Sequence, residues 1–191
     1  MPLPLKLDPS RTIILLVDVQ ERLCPAMPPA ALAQLLKYAQ ALLSAARELS
    51  LPVLATEQYP KGLGPTLPGL RELLPAPPLA KMSFSCGGDP GFTAALESIR
   101  LRLREPPAQI VLAGMEAHVC VFQTARDLVA AGYEVQVCAD AVASRDEEHR
   151  RIGLDLCREA GALVTTAETA LFDLLGVCGT PAFKKVSQLV K

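Results

Sequence analysis

The sequence predicts an α/β fold: a single three-layer α/β/α domain over residues 1–191, built on a six-stranded, mostly parallel, Rossmann-like sheet. Two observations carry this reading. Short runs of Val, Ile, Leu and Ala have the pattern of strands buried on both faces. Between them lie segments whose apolar residues recur at helical spacing, as the crossover helices of a parallel sheet require, with right-handed connections. A chain of 191 residues suits one well-buried domain and is short for two. No internal repeat or linker divides it.

The elements follow in order. TIILLVDVQ, from Thr12, is the first strand. Leu32, Leu35, Leu36, Ala39, Leu42, Leu43 and Ala46 then recur at helical spacing and predict a helix over 28–49. LPVLAT is the second strand, and EQYPKGLGPTLPGL reads as a loop too long for a simple connector. LAKMS is a short third strand. Asp89-Pro90 offers a cap and a first-turn proline to a helix from about 90 to 104. AQIVLAG is the fourth strand, VCVFQTARDLVAAG the helix after it, with Gly132 as its stop, and YEVQVCAD the fifth strand. DEEHRRIGLDLCREAG carries acids at its start and Gly161 at its end, as the helix dipole and a C-terminal stop favour. ALVTT is the sixth strand, followed by short helical segments.

Charge and composition exclude several partners. Lys plus Arg (19) nearly cancel Asp plus Glu (20), and no basic run offers an electrostatic footprint for nucleic acid or an anionic membrane. No apolar stretch approaches the ~20 residues that span a bilayer, and MPLPLKLDPSR lacks the apolar core of a secretory signal. The six cysteines are scattered without a C-x-x-C pair, which suits free thiols in the cytoplasm. The expected partner is a small-molecule substrate.

In a sheet of this kind ligands bind beyond the carboxyl ends of the strands, near the switch in strand order. That rule selects Asp18 after the first strand, Glu57 and Gln58 after the second, Lys81 at the third and Cys120 after the fourth. A carboxylate such as Asp18 is by itself as readily a loop cap as a catalytic group, and most lysines are solvated. Cys120 is more specific: a thiol at a helix N-terminus faces unpaired N–H groups and the positive end of the dipole, which lower its pKa. The other five cysteines are read as packing. His118 and His149 are too few for a His-rich zinc site, and His149 in RDEEHRR reads as part of a solvated helix face. GLGPTLPG only superficially echoes a dinucleotide fingerprint, and CGGDPG reads as a plain turn. There is no G-x-S-x-G, phosphate-binding loop or H-E-x-x-H.

With Asp18, Lys81 and Cys120 on one sheet edge, the sequence resembles the isochorismatase-like cysteine hydrolases over nearly its whole length. Within that superfamily TEQYPKGLGPT, LAKMSFS, GMEAHVCVFQTARDL and PAFKKVSQLVK look like the isochorismatase domain-containing protein 2 subgroup. The resemblance implies Asp18 as base, Lys81 as electrostatic partner and Cys120 as nucleophile. It implies a cis peptide at Glu116–Ala117 and an oxyanion hole made by the N–H groups of Glu116 and Cys120. Gln20, Glu57, Gln58, Tyr59 and Phe84 are the expected substrate neighbours. Nicotinamidases of this superfamily hold a metal on an Asp-x-His cluster after the second strand. EQYPKGLGP has no histidine there, so no metal and no cofactor are expected. The implied assembly is a homo-oligomer, a dimer or larger. The implied function is metal-independent hydrolysis of a small amide or carbamoyl-type compound through a Cys thioester. Vinyl-ether hydrolysis of the isochorismate type, or an idle interaction protein on the same fold, are the alternatives.

Overall fold

The computed structural model describes residues 6–103 and 108–191. Six strands form one sheet: β1 (Thr12–Val17), β2 (Val53–Gln58), β3 (Leu79–Lys81), β4 (Gln109–Met115), β5 (Glu134–Ala143) and β6 (Leu163–Thr165). Their order is β3-β2-β1-β4-β5-β6, and every neighbouring pair is parallel. The chain winds outward from β1 to β3, then crosses back to lay β4 against the other side of β1. The switch point therefore lies between β1 and β4, where a doubly wound sheet opens a crevice at its carboxyl edge.

β1 and β4 are buried along their whole length, which explains their unbroken apolar sequences. Alternate residues feed two cores. Ile14, Leu16, Val111, Ala113 and Met115 meet α1 (Pro29–Leu49), α7 (Ala167–Leu175) and α8 (Pro181–Val186) on one face. Ile13, Leu15, Val17, Ile110 and Leu112 meet α4 (Pro90–Arg100), α5 (Phe122–Ala130) and α6 (Glu147–Glu159) on the other. Helix starts follow their caps: the side chains of Asp89, Asp146 and Thr166 accept the first free N–H groups of α4, α6 and α7. The helix expected over about 90–104 ends at Arg100 and continues as turns to residue 103, and residue 104 lies outside the described residues.

The segment read as a long loop after β2 contains two single-turn helices, α2 (Pro60–Leu63) and α3 (Pro68–Arg71). Each opens on a proline, whose fixed φ and missing N–H suit the first position of a helix. An antiparallel bridge between Gln20 and Thr66 ties this segment to the end of β1. No described helix is long and apolar enough to cross a membrane.

One close approach sets the spacing at the switch point. Gly114, paired with Val17, has φ +132°, and a Cβ on it would lie 2.0 Å from the Val17 carbonyl oxygen. Gly114→Ala is expected to cost at least about 3 kcal/mol, lowering Tm by roughly 6–12 °C. Thermal and urea unfolding check this.

Candidate active site

Asp18 follows the last residue of β1 and adopts φ +54°, a left-handed conformation uncommon outside glycine. The bend turns its carboxylate into the crevice, with no solvent exposure. Oδ1 accepts the Thr56 hydroxyl at 2.8 Å and Oδ2 accepts Lys81 Nζ at 2.7 Å. Lys81 closes β3 and reaches Asp18 across the intervening end of β2. Its ammonium also donates to Gln58 Oε1 at 2.7 Å and to the Ser83 and Phe84 carbonyls at 3.1 Å each. A fully buried lysine is rare, and this one is surrounded by acceptors, as desolvation of an ammonium demands.

The third side chain comes from the connection between β4 and α5. Met115–Glu116 is a cis peptide, and Ala117–Val121 form a single π-helical turn with Cys120 inside it. This corrects the expected cis bond at Glu116–Ala117 by one residue: β4 runs on to Met115, so its last peptide carries the cis geometry. Cys120 is 7% exposed, and its thiol is close enough to Asp18 and Lys81 to feel both charges. Burial, and then the Asp18 charge, push the thiol up to about 12; Lys81 pulls in the opposite direction. The expected lowering by a helix N-terminus is thereby overturned. The thiol sits within a buried turn beside an anion, and the nearest cation is already paired with that anion.

The N–H groups of the turn are largely spoken for. Glu116 O accepts Val119 N at 3.1 Å and Val121 N at 3.2 Å, and Ala117 N donates to Ser144 Oγ at 3.1 Å. Gly153 of α6 packs over the His118 amide, where a Cβ would lie 2.6 Å from the nitrogen. The Glu116 and Cys120 N–H groups donate to no other strand, helix or loop among the described residues.

The expected substrate neighbours divide into two sets. Gln20 and Gln58 spend their side-chain polar atoms inside the protein, and Glu57 spends one carboxylate oxygen there. Gln20 bonds the Gln58 backbone in both directions and the Gly64 carbonyl; Glu57 Oε1 accepts the Thr66 amide and hydroxyl; Gln58 holds Lys81 and the Met82 carbonyl. Together they fasten the segment from Tyr59 to Thr66 over the end of β2. Tyr59 and Phe84 are exposed beside Lys81, whose carbonyl accepts the Tyr59 N–H at 2.9 Å. Three contributors were not selected from the sequence: Thr56, Ser144 and Cys86, whose buried thiol lies 3.7 Å from the Thr56 hydroxyl and is pushed up to about 11, chiefly by burial. Among the described residues no three His, Cys, Asp or Glu side chains gather as a metal site.

A doubly wound parallel sheet with a thiol, a carboxylate and an ammonium at its switch point defines the class, and the match to a family model makes it specific. The chain belongs to the isochorismatase family: the isochorismatase domain matches residues 12–169. Isochorismatase domain-containing protein 2 of Homo sapiens is 37% identical over 188 residues, covering 96% of this chain and 84% of that protein. Isochorismatase domain-containing protein 1 of Salmo salar is 38% identical over 192 residues, and there the match spans 97% of this chain but only 62% of the relative. Among solved structures, the MAR1 ribonuclease from Caenorhabditis elegans superposes with a TM-score of 0.86 at 35% identity, covering 97% of this chain and 92% of that one. The YcaC gene product of Escherichia coli, described as an octameric hydrolase of unknown specificity, shares the fold with a TM-score of 0.87 at 23% identity, covering 99% and 92%.

Removing one partner of the buried ion pair strands the other. Lys81→Met is expected to destabilise the fold by about 3–5 kcal/mol, with much of the loss regained in Asp18→Asn/Lys81→Met. Urea unfolding of the single and double variants measures the difference. Equal stability of all three proteins would deny that the pair is coupled.

Proposed function

We propose that the protein is a metal-independent cysteine hydrolase that cleaves a small amide or carbamoyl-type carbonyl compound through a thioester on Cys120. The observation that carries this reading is the buried Lys81–Asp18 pair at the sheet edge to which β4 delivers the Cys120 turn, with the thiol near enough to feel both charges. With its pKa raised to about 12, the resting nucleophile is a neutral thiol. It needs a base at the moment of attack, and Asp18 is that base. As Sγ bonds the carbonyl carbon, the thiol proton passes to Asp18. The developing oxyanion is received by the N–H groups of Glu116 and Cys120. Collapse breaks the C–N bond, and the departing nitrogen takes the proton from Asp18. A water molecule deprotonated by Asp18 then hydrolyses the thioester. Lys81 balances the carboxylate throughout and supplies no proton.

The small opening at Cys120 favours a small substrate, with Tyr59 and Phe84 as the residues proposed to meet it at the rim. Vinyl-ether hydrolysis has no use for a nucleophilic thiol, and an idle scaffold has no use for a fully buried ammonium directed at a carboxylate. The name of the Caenorhabditis elegans relative raises RNA cleavage. A net charge of -1 and a thiol 7% exposed argue against a polyanionic substrate for this chain.

Screening small amides and carbamoyl compounds for ammonia release, with RNA as a parallel substrate, tests the reading. Turnover is expected for at least one small carbonyl compound and none for Cys120→Ala. RNA cleavage that survives Cys120→Ala would overturn the assignment.

The pH dependence of thiol alkylation separates the roles. With native protein, iodoacetamide labelling of Cys120 is expected to climb roughly tenfold per pH unit across pH 7–9, since the reactive thiolate is a minor species below the thiol's pKa. Asp18→Asn removes the anion that helps raise that pKa, so labelling at pH 8 accelerates while turnover falls by about 10²-fold or more. Superimposable labelling profiles for native and Asp18→Asn proteins would show that the two groups do not sense each other.

A further inference from the structure

The turn that carries Cys120 is clamped from outside the triad by the connection between β5 and α6. Ser144 is 1% exposed there, and its hydroxyl has one proton to give and two lone pairs to receive with. One lone pair accepts the Ala117 N–H at 3.1 Å, and the same oxygen lies 3.0 Å from His118 Nδ1. The next residue, Arg145, gives its N–H to Glu116 Oε2 at 3.0 Å and its Nε to the same oxygen at 3.2 Å. We propose that Ser144, seconded by His118, is a positioning residue that aims the Glu116 and Cys120 N–H groups at a developing oxyanion. The proposal rests on the hydrolase reading of Cys120.

Consider the peptide plane joining Glu116 to Ala117. Its oxygen receives Val119 N and Val121 N, and its nitrogen gives to Ser144. Both polar atoms of the plane are thus used, one to wind the turn and one to tie it to β5–α6. The side chain on one end is held by Arg145, and Gly153 packs against the Ala117 carbonyl carbon at the other. Losing the Ser144 bond frees the plane to rotate, and the N–H groups on either side of it swing with the turn. Asp18 is held independently of this plane, by Thr56 and Lys81.

His118 completes the device. Since Ser144 Oγ is already an acceptor for Ala117, its own proton is free for Nδ1, which accepts only in a neutral ring with the proton on Nε2. Burial lowers the His118 pKa, and of the groups facing it His149 on α6 and Arg145 lower it further, while Glu116 and Asp146 act against them. The His149 ring lies 4.8 Å from that of His118, centroid to centroid. Burial thus favours the neutral ring, and with its proton on Nε2 that ring would hold the Ser144 rotor with its lone pairs toward Ala117.

A small aldehyde tests this without knowledge of the substrate. Acetaldehyde adds to Cys120 by forming a C–S bond as the carbonyl π bond breaks; the thiol proton passes to Asp18 or to the new oxygen. The resulting hemithioacetal places an oxygen where the oxyanion would lie and protects the thiol from iodoacetamide. In Ser144→Ala the alkylation rate without aldehyde is expected to stay within about twofold of native, while the aldehyde concentration giving half-protection rises about tenfold. Ser144→Thr, which keeps the hydroxyl, retains protection, and His118→Ala shows a smaller loss of the same kind. Unchanged protection in Ser144→Ala overturns the proposal. So does a parallel collapse of alkylation and protection, or an equal loss in the Ala and Thr variants, since each indicates mere packing. If the native protein itself gains no protection from aldehyde, the hydrolase reading fails and this inference falls with it.

Discussion

A lysine ammonium and an aspartate carboxylate meet 2.7 Å apart with no solvent contact, and the carboxyl edge of the sheet is organised around that pair. Neither charge tolerates such a place alone. The ammonium needs the carboxylate, the Gln58 side chain and two carbonyls of the residues that follow it, so the chain after β3 must curl around Nζ. The carboxylate needs Thr56 on its other oxygen and a left-handed turn at Asp18 to aim it inward. Three strands are thereby committed to one point. Cys120 is brought to the same point by the fourth, and its thiol takes its character from what is already there.

That ordering explains the sign of the thiol's shift. A lysine near a cysteine lowers the thiol pKa only while its charge is available to the sulfur. Here the charge faces the carboxylate, and the sulfur feels an anion in a buried setting, which holds it protonated. Such a site stores a quiet nucleophile. In the proposed reaction it is drawn out when a substrate carbonyl arrives to share the electron density, with Asp18 as the proposed base. The closely packed backbone around it serves the same end: Gly114 lets β4 approach β1, and Gly153 lets α6 press on the turn.

The segment from Tyr59 to Thr66 lies over the end of the second strand. Its side-chain chemistry is spent on holding itself down, through Gln20, Glu57 and Gln58. Within TEQYPKGLGPT, the Gln58 and Thr66 amides and the Gly64 carbonyl are each fixed by a side chain, Gln20 or Glu57. The exposed aromatic side chains of Tyr59 and Phe84 stand at its margin.

What the sequence determined by itself is what local pattern can carry. Strands buried on both faces leave continuous apolar runs, helix starts leave Asp89 and the acids of DEEHRR, and the carboxyl ends of those strands marked Asp18, Lys81 and Cys120 for attention. The order β3-β2-β1-β4-β5-β6 and the register Val17 to Thr56 and Gln58 to Lys81 belong to the tertiary structure. They decide that Thr56 touches Asp18, that Gln58 serves Lys81 and that Ser144 receives the Ala117 amide, none of which has a signature along the chain. The position of the cis bond and the direction of the Cys120 shift were missed for the same reason. One depends on where β4 stops and the other on which neighbour a charge faces, and both are settled by contacts between residues distant in sequence.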